Sequence, residues 1–167
     1  MKYLCSLLLA LIVFSPASFA DETRAQILIK NVNIFDGKNE KLKVRHDVLI
    51  ENNLIKKVAK GIKAEGAKVV DGGGRTLMPG LTDSHVHLML NDSPAKSVYE
   101  ESWSYVGAQA VSSARAMLLR GFTTVRDVGG PVGGLKKAID EGLVEGPRIL
   151  PSDGFISQTS GHGDLET

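Results

Sequence analysis

The sequence holds one cysteine, Cys5, and that residue lies in an N-terminal segment that reads as cleavable. The rest of the chain can form no disulfide, use no thiolate nucleophile and offer no sulfur ligand, so any metal it binds is held by nitrogen and oxygen. An excess of one charge is missing too. Of 20 basic residues only Lys2 lies in the cleavable segment, leaving 19 against 19 acidic ones. No basic block occurs anywhere, which argues against nucleic acid as a partner. Long apolar runs are also scarce. "MKYLCSLLLALIVFSPASFA" opens on Lys2, runs apolar from Leu4 to Phe14, and closes with Pro16 and the small-x-small pattern Ser18-Phe19-Ala20. A helix needs about 20 apolar residues to cross a bilayer. This shorter run therefore reads as a secretory signal over residues 1–20, cleaved after Ala20 so that the mature chain begins at Asp21. The expected location is periplasmic or secreted, with no stable membrane anchor.

What is present falls into two parts, 21–78 and 79–167. In the first, "AQILIKNVNIFDG" is rich in Ile and Val and ends in the turn pair Asp36-Gly37. "HDVLIENNLIKKVAKGI" reads as two strands around Asn52-Asn53, residues that tolerate the positive φ of a tight hairpin. "AKVVDGGGRTLMPG" adds a short strand and three glycines. Short strands with polar turns predict antiparallel strands in a small β-sandwich or an edge-rich β-domain. His46 stands alone here and reads as a surface or turn residue. "DGGG" (Asp71 to Gly74) is followed by no Lys-Ser/Thr, so it is no phosphate loop and reads as a domain hinge.

The pattern changes after Gly80. Tyr99, Trp103, Val106, Ala110 and Met117 recur at helical spacing, which predicts one apolar face of a long helix with its aromatics in the core. Ser97 with Glu100 fits a capping box, and Gly121 is placed to end the helix. "FTTVRDVGG" reads as a buried strand, "PVGGLKKAIDEGL" as a shorter helix, and "GPRILPSDGFI" as a third strand with Pro151 near its end. Arg126-Asp127 closes the second strand as an ion pair or a cap for the following turn. Strand, helix, strand, helix, strand is the order of an α/β fold with a parallel sheet.

The chemistry concentrates in "LMPGLTDSHVHLML". Residues two apart in a strand share a face, so a strand over Leu81 to Leu88 projects His85 and His87 side by side, with Asp83 on that face too. Paired imidazoles suit zinc and similar divalent metals, bound at about 2.0–2.1 Å. Taken alone, His-x-His is also what a pair of partly exposed strand-end histidines looks like.

The context "PGLTDSHVHL", a long helix and then "GFTTVRDVGG" resembles the amidohydrolase superfamily. "DEGLVEGPRILPSDGFISQTSGHGD" is similar to the branch with imidazolonepropionase-like enzymes and metal-dependent Xaa-Pro dipeptidases. The resemblance runs from about Ile27 onward. It implies a (β/α)8 TIM barrel preceded by part of a β-sandwich, and hydrolysis of carbon–nitrogen bonds in a small amide or dipeptide. It implies one or two divalent metal ions, zinc foremost, with His85 and His87 as the first two ligands. A carboxylated lysine, two histidines and a proton-shuttling aspartate would come from later strands, so the catalytic residues are expected beyond Thr167. By the same resemblance His162, in "TSGHGD" after the third strand, would touch substrate; the alternative is a loop histidine in a flexible hinge. Oligomeric state is not implied.

The chain departs from that pattern in supplying at most three barrel strands, where a whole barrel takes about 250 residues. After His87 its only histidine is His162. These residues are expected to be the N-terminal portion of an enzyme, inactive alone because two protein ligands fall short of the three that catalytic zinc uses. The alternative is a secreted remnant with a binding or structural role. A lysine, two histidines and an aspartate at strand ends beyond Thr167 would favour the enzyme.

Overall fold

The computed structural model describes residues 25–91, 93, 96–161, 163 and 164. The expected signal segment and its cleavage point at Ala20 lie outside them. The chain forms two compact units. One takes in residues up to Ile34 together with Lys41–Leu77; the other takes in Phe35–Glu40 and the chain from Met78 onward.

The first unit is a five-stranded sheet of β1 (Gln26–Ile34), β2 (Lys43–Glu51), β3 (Leu54–Ala59), β4 (Lys68–Asp71) and β5 (Thr76–Leu77). The order is β3-β2-β1-β4, with β5 also on β1. β2 and β3 turn at Asn52-Asn53, where Asn52 takes φ +57°. The antiparallel pairing expected from the sequence holds for β1–β2 and β2–β3, but β4 and β5 run parallel to β1. The connection after β3 buries Ile62 against Leu28 and Leu49 and delivers the chain to the far side of β1. A hairpin reverses the chain; a crossover does not.

The glycine run is no hinge. It lies inside this unit, tied to β1 by Gly72 N–H to Lys30 O at 2.8 Å and Gly74 N–H to Asn31 O at 2.7 Å. A Cβ on Gly72 would sit 2.2 Å from Val32, so only glycine lets the chain lie this close to β1. His46 is likewise no turn residue: it is half-buried in β2, paired with Val32 beside a register shift, its Nδ1 2.9 Å from the Val44 carbonyl.

Asp47 fixes the crossover. Its buried carboxylate accepts the Asn31 N–H at 3.1 Å and the Ile62 N–H at 3.0 Å. The Asn31 bond leads in holding its pKa below the usual carboxylate value, against the pull of burial. A carboxylate whose pKa is lower folded than unfolded adds stability above the unfolded value and loses it as pH falls through the folded one. Asp47→Asn keeps one acceptor for two buried donors, so it is expected to destabilise by about 1–3 kcal/mol at neutral pH. That deficit should shrink as pH drops below about 4, read from urea midpoints of both proteins across pH. A deficit constant from neutral pH to below the carboxylate range would overturn the assignment.

The second unit alternates β6 (Leu81–Val86), α1 (Trp103–Leu119), β7 (Phe122–Asp127), α2 (Gly133–Asp140) and β8 (Arg148–Pro151). The strands form a parallel sheet in the order β6-β7-β8, the consecutive β/α units that the alternation after Gly80 predicts. Helix α1 turns Val106, Ala110, Ala114 and Met117 inward, with Ala110 and Ala114 fully buried. They lie in one core with Val125 of β7 and Ile149 of β8. Gly121, at φ +97°, ends the helix, and Pro151 is the last residue of β8.

The start of α1 differs from expectation. Ser102 is its cap, with Oγ accepting the Tyr105 N–H, while Ser97 and Glu100 belong to a separate π-helical turn over Lys96–Glu100. The apolar stripe is therefore shorter than its spacing implies. Tyr99 and Trp103 fall before or at the first residue of the helix and are more than half exposed, not core.

Candidate metal site

Strand β6 ends at Val86, not Leu88, so His87 is the first residue of the following loop. The pairing with β7 also slips between Asp83 and Val86, where three steps on β6 answer two on β7. That irregularity interrupts the simple alternation that would put residues 83, 85 and 87 on one face. The histidines still meet. Their ring centroids are 5.3 Å apart and nearly perpendicular, at 81°. Asp83 does not join them through Oδ1, which accepts the His85 N–H at 3.1 Å. Among the described residues no group of three His, Asp or Glu side chains could hold a metal ion.

The two rings are held differently. His85 is exposed, whereas His87 is half-buried with Nδ1 3.1 Å from the Gly129 carbonyl. A carbonyl only accepts, so this bond places the proton on Nδ1 and leaves the Nε2 lone pair for a metal. The Phe155 ring packs at a tilt against His87, centroids 5.9 Å apart. Gly129 makes room for it, since a Cβ there would lie 1.9 Å from the Phe155 ring.

Arg126 and Asp127 do not pair with each other. Arg126 is exposed and its Nε donates to the Ser84 carbonyl at 2.7 Å. Asp127 is wholly buried and caps two loops, accepting the Leu88 N–H at 2.7 Å and the Gly129 N–H at 3.2 Å. Burial raises its pKa above the ordinary carboxylate value, and the two N–H bonds oppose that rise. The sequence reading of a turn cap is right. It misses that the capped segments are the ones on either side of the His87 ring, and the only local signal is an acid at a strand end before Val-Gly-Gly.

The loops following β6, β7 and β8, with the first residues of α2, line an open cavity of about 550 Å³ whose walls include Leu90, Gly130, Pro131, Asp153, Gly154 and Phe155. Phe155 is common to its wall and to the His87 contact. The Gly130 N–H bonds the Asp153 carbonyl at 2.8 Å, joining two of the loops. His162, expected to touch substrate, lies outside the described residues, and so does Thr167.

Comparison with known proteins bears on what these loops serve. Residues 76–167, more than half of the chain, match the amidohydrolase family. A solved amidohydrolase is 41% identical with a TM-score of 0.77, the match covering 84% of this chain and 34% of that one. A prolidase solved in complex with N-methylphosphonate-L-proline is 34% identical with a TM-score of 0.78, covering 85% and 35%. Ochratoxinase of Aspergillus niger is 34% identical over 96 residues, 53% of this chain and 19% of that one. The chain thus spans about a third of those structures and about a fifth of the curated relative. The β6–β8 units are the start of a (β/α)8 TIM barrel, and the five-stranded sheet is part of the small β-sandwich that precedes it.

Proposed function

Because this chain belongs to the amidohydrolase family, we propose that the protein hydrolyses carbon–nitrogen bonds in small amides, dipeptides foremost, with His85 and His87 as the first two ligands of a divalent metal. The observation that carries this reading is the pairing of the two imidazoles at the end of β6, with His87 turned by the Gly129 carbonyl to present Nε2. Active sites of such barrels are built from the loops at the strands' C-terminal ends, where His87 and the cavity lie.

The donor set fits zinc: neutral imidazole nitrogens, one with its other nitrogen engaged by a carbonyl, are a common zinc arrangement. Bound there, the metal would supply Lewis acidity and a water with a pKa of about 7. The chain's own residues orient the ligands and shape the cavity. Leu90, Pro131 and Phe155 form an apolar wall for a substrate side chain, and His162 is proposed to touch substrate. The remaining ligands and the group that moves the proton are proposed to come from beyond Thr167. A phosphonate is tetrahedral, as an amide carbon becomes under attack by water, so the prolidase's phosphonate–proline ligand directs the test to Xaa-Pro dipeptides. Export through the N-terminal segment, with loss of residues 1–20, is part of the same proposal.

The test is release of free proline from a series of Xaa-Pro dipeptides by the full-length protein. Hydrolysis is expected to stop after dialysis against a chelator and to return with zinc. A rate that survives complete metal removal would refute the metal-dependent reading.

A further inference from the structure

Both hydrogen bonds that the Asp127 carboxylate accepts bear on His87. Its Oδ2 accepts the N–H of Leu88, the residue directly after His87, at 2.7 Å. Its Oδ1 accepts the N–H of Gly129 at 3.2 Å, and the carbonyl of that same Gly129 takes the His87 Nδ1 proton at 3.1 Å. One carboxylate therefore fixes both the backbone that carries the ring and the backbone that orients it. We propose that Asp127 is a positioning residue for metal binding, setting the tautomer and direction of His87 through the Gly129 peptide. The inference rests on the ligand assignment above and goes beyond it to a residue that no ligand pattern includes.

Other readings of Asp127 fit less well. It is fully buried, so it cannot meet solvent or substrate as a surface carboxylate would. Its neighbour Arg126 is committed to the Ser84 carbonyl, so the two do not form a structural ion pair. The buried Asp47 carboxylate bridges two segments of the other unit in the same way, but Asp127 bridges the two segments that carry and orient the His87 ring. Two diverging N–H groups need two acceptor oxygens, and of side chains this short only aspartate offers both with no competing donor.

Asparagine has one acceptor oxygen, and its NH2 would face an N–H. In the full-length protein, Asp127→Asn is expected to weaken zinc binding about 10–100-fold, the usual effect of losing an outer partner of a histidine ligand. Zinc affinity would be measured by competition with a chromophoric chelator. Asp47→Asn removes an equivalent buried bridge in the other unit and is expected to leave zinc affinity unchanged, separating positioning from general destabilisation. Nitrogen-15 shifts of the imidazoles in the unsubstituted, metal-free protein give a test that does not depend on how the variant folds. They should show His87 protonated at Nδ1, with the Leu88 and Gly129 amides protected from exchange. His87 protonated at Nε2, or zinc affinity in folded Asp127→Asn equal to that of the unsubstituted protein, overturns the proposal. Failure of the ligand assignment is distinguishable, because His85→Ala and His87→Ala would then keep their zinc.

Discussion

His85→Ala and His87→Ala, each in the full-length protein, are expected to lose zinc and amide hydrolysis together. The loss in affinity should exceed the roughly 100-fold upper range seen when only an outer partner of a ligand is removed. The argument is local. The rings stand 5.3 Å apart at the end of β6, and the bond from His87 Nδ1 to the Gly129 carbonyl leaves Nε2 as the nitrogen for a metal. Removing either ring leaves one imidazole where two converge. His46→Ala supplies the contrast, since that histidine lies in β2 of the other unit with Nδ1 on the Val44 carbonyl. Metal content by mass spectrometry after dialysis, beside the rate of proline release, reads both effects. A His85 or His87 variant that held stoichiometric zinc would remove the site from these residues.

A second large effect is expected from the interior of the parallel sheet. Ile149 is 1% exposed and shares a core with Val106, Ala110 and Val125. Ile149→Ala removes most of a buried side chain from this core and is expected to destabilise by about 2–5 kcal/mol. Against a total stability of about 5–15 kcal/mol that is a substantial fraction. Lys137→Ala, on the exposed side of α2 where Lys137 pairs with Glu141, should change stability by less than about 0.5 kcal/mol. Urea midpoints at unchanged slope would show the difference. Equal midpoints for the two variants would mean that Ile149 is not in the core.

The parts of this fold that were legible in sequence are those that one residue decides locally. Asn52 takes the left-handed turn its type allows, Gly121 ends α1, and Pro151 ends β8, each through the backbone angle or missing donor of that residue. The start of α1 was not legible in this way, because Ser97-x-x-Glu100 and Ser102 are both acceptable beginnings and packing chose the second. Nor was the parallel course of β4 and β5, which depends on where Ile62 is buried rather than on anything within those strands. The candidate site divides along the same line. His85 and His87 announce themselves by type and spacing. Asp127 does not, because its role depends on partners 39 residues away at Leu88 and on a Gly129 carbonyl 42 residues from His87.

Those separations also say something about the order of assembly. Each bond that sets His87 is made between β6 and β7 or the loops that follow them, neighbours in both chain and sheet. Chains are made from the N-terminus at about 5–20 residues per second, and such neighbouring segments can dock early. Between the histidine pair and the groups that orient it the chain passes through the π-helical turn Lys96–Glu100, α1 and β7. The pair can therefore be aimed early in synthesis, so that the proposed metal site would start from side chains already oriented.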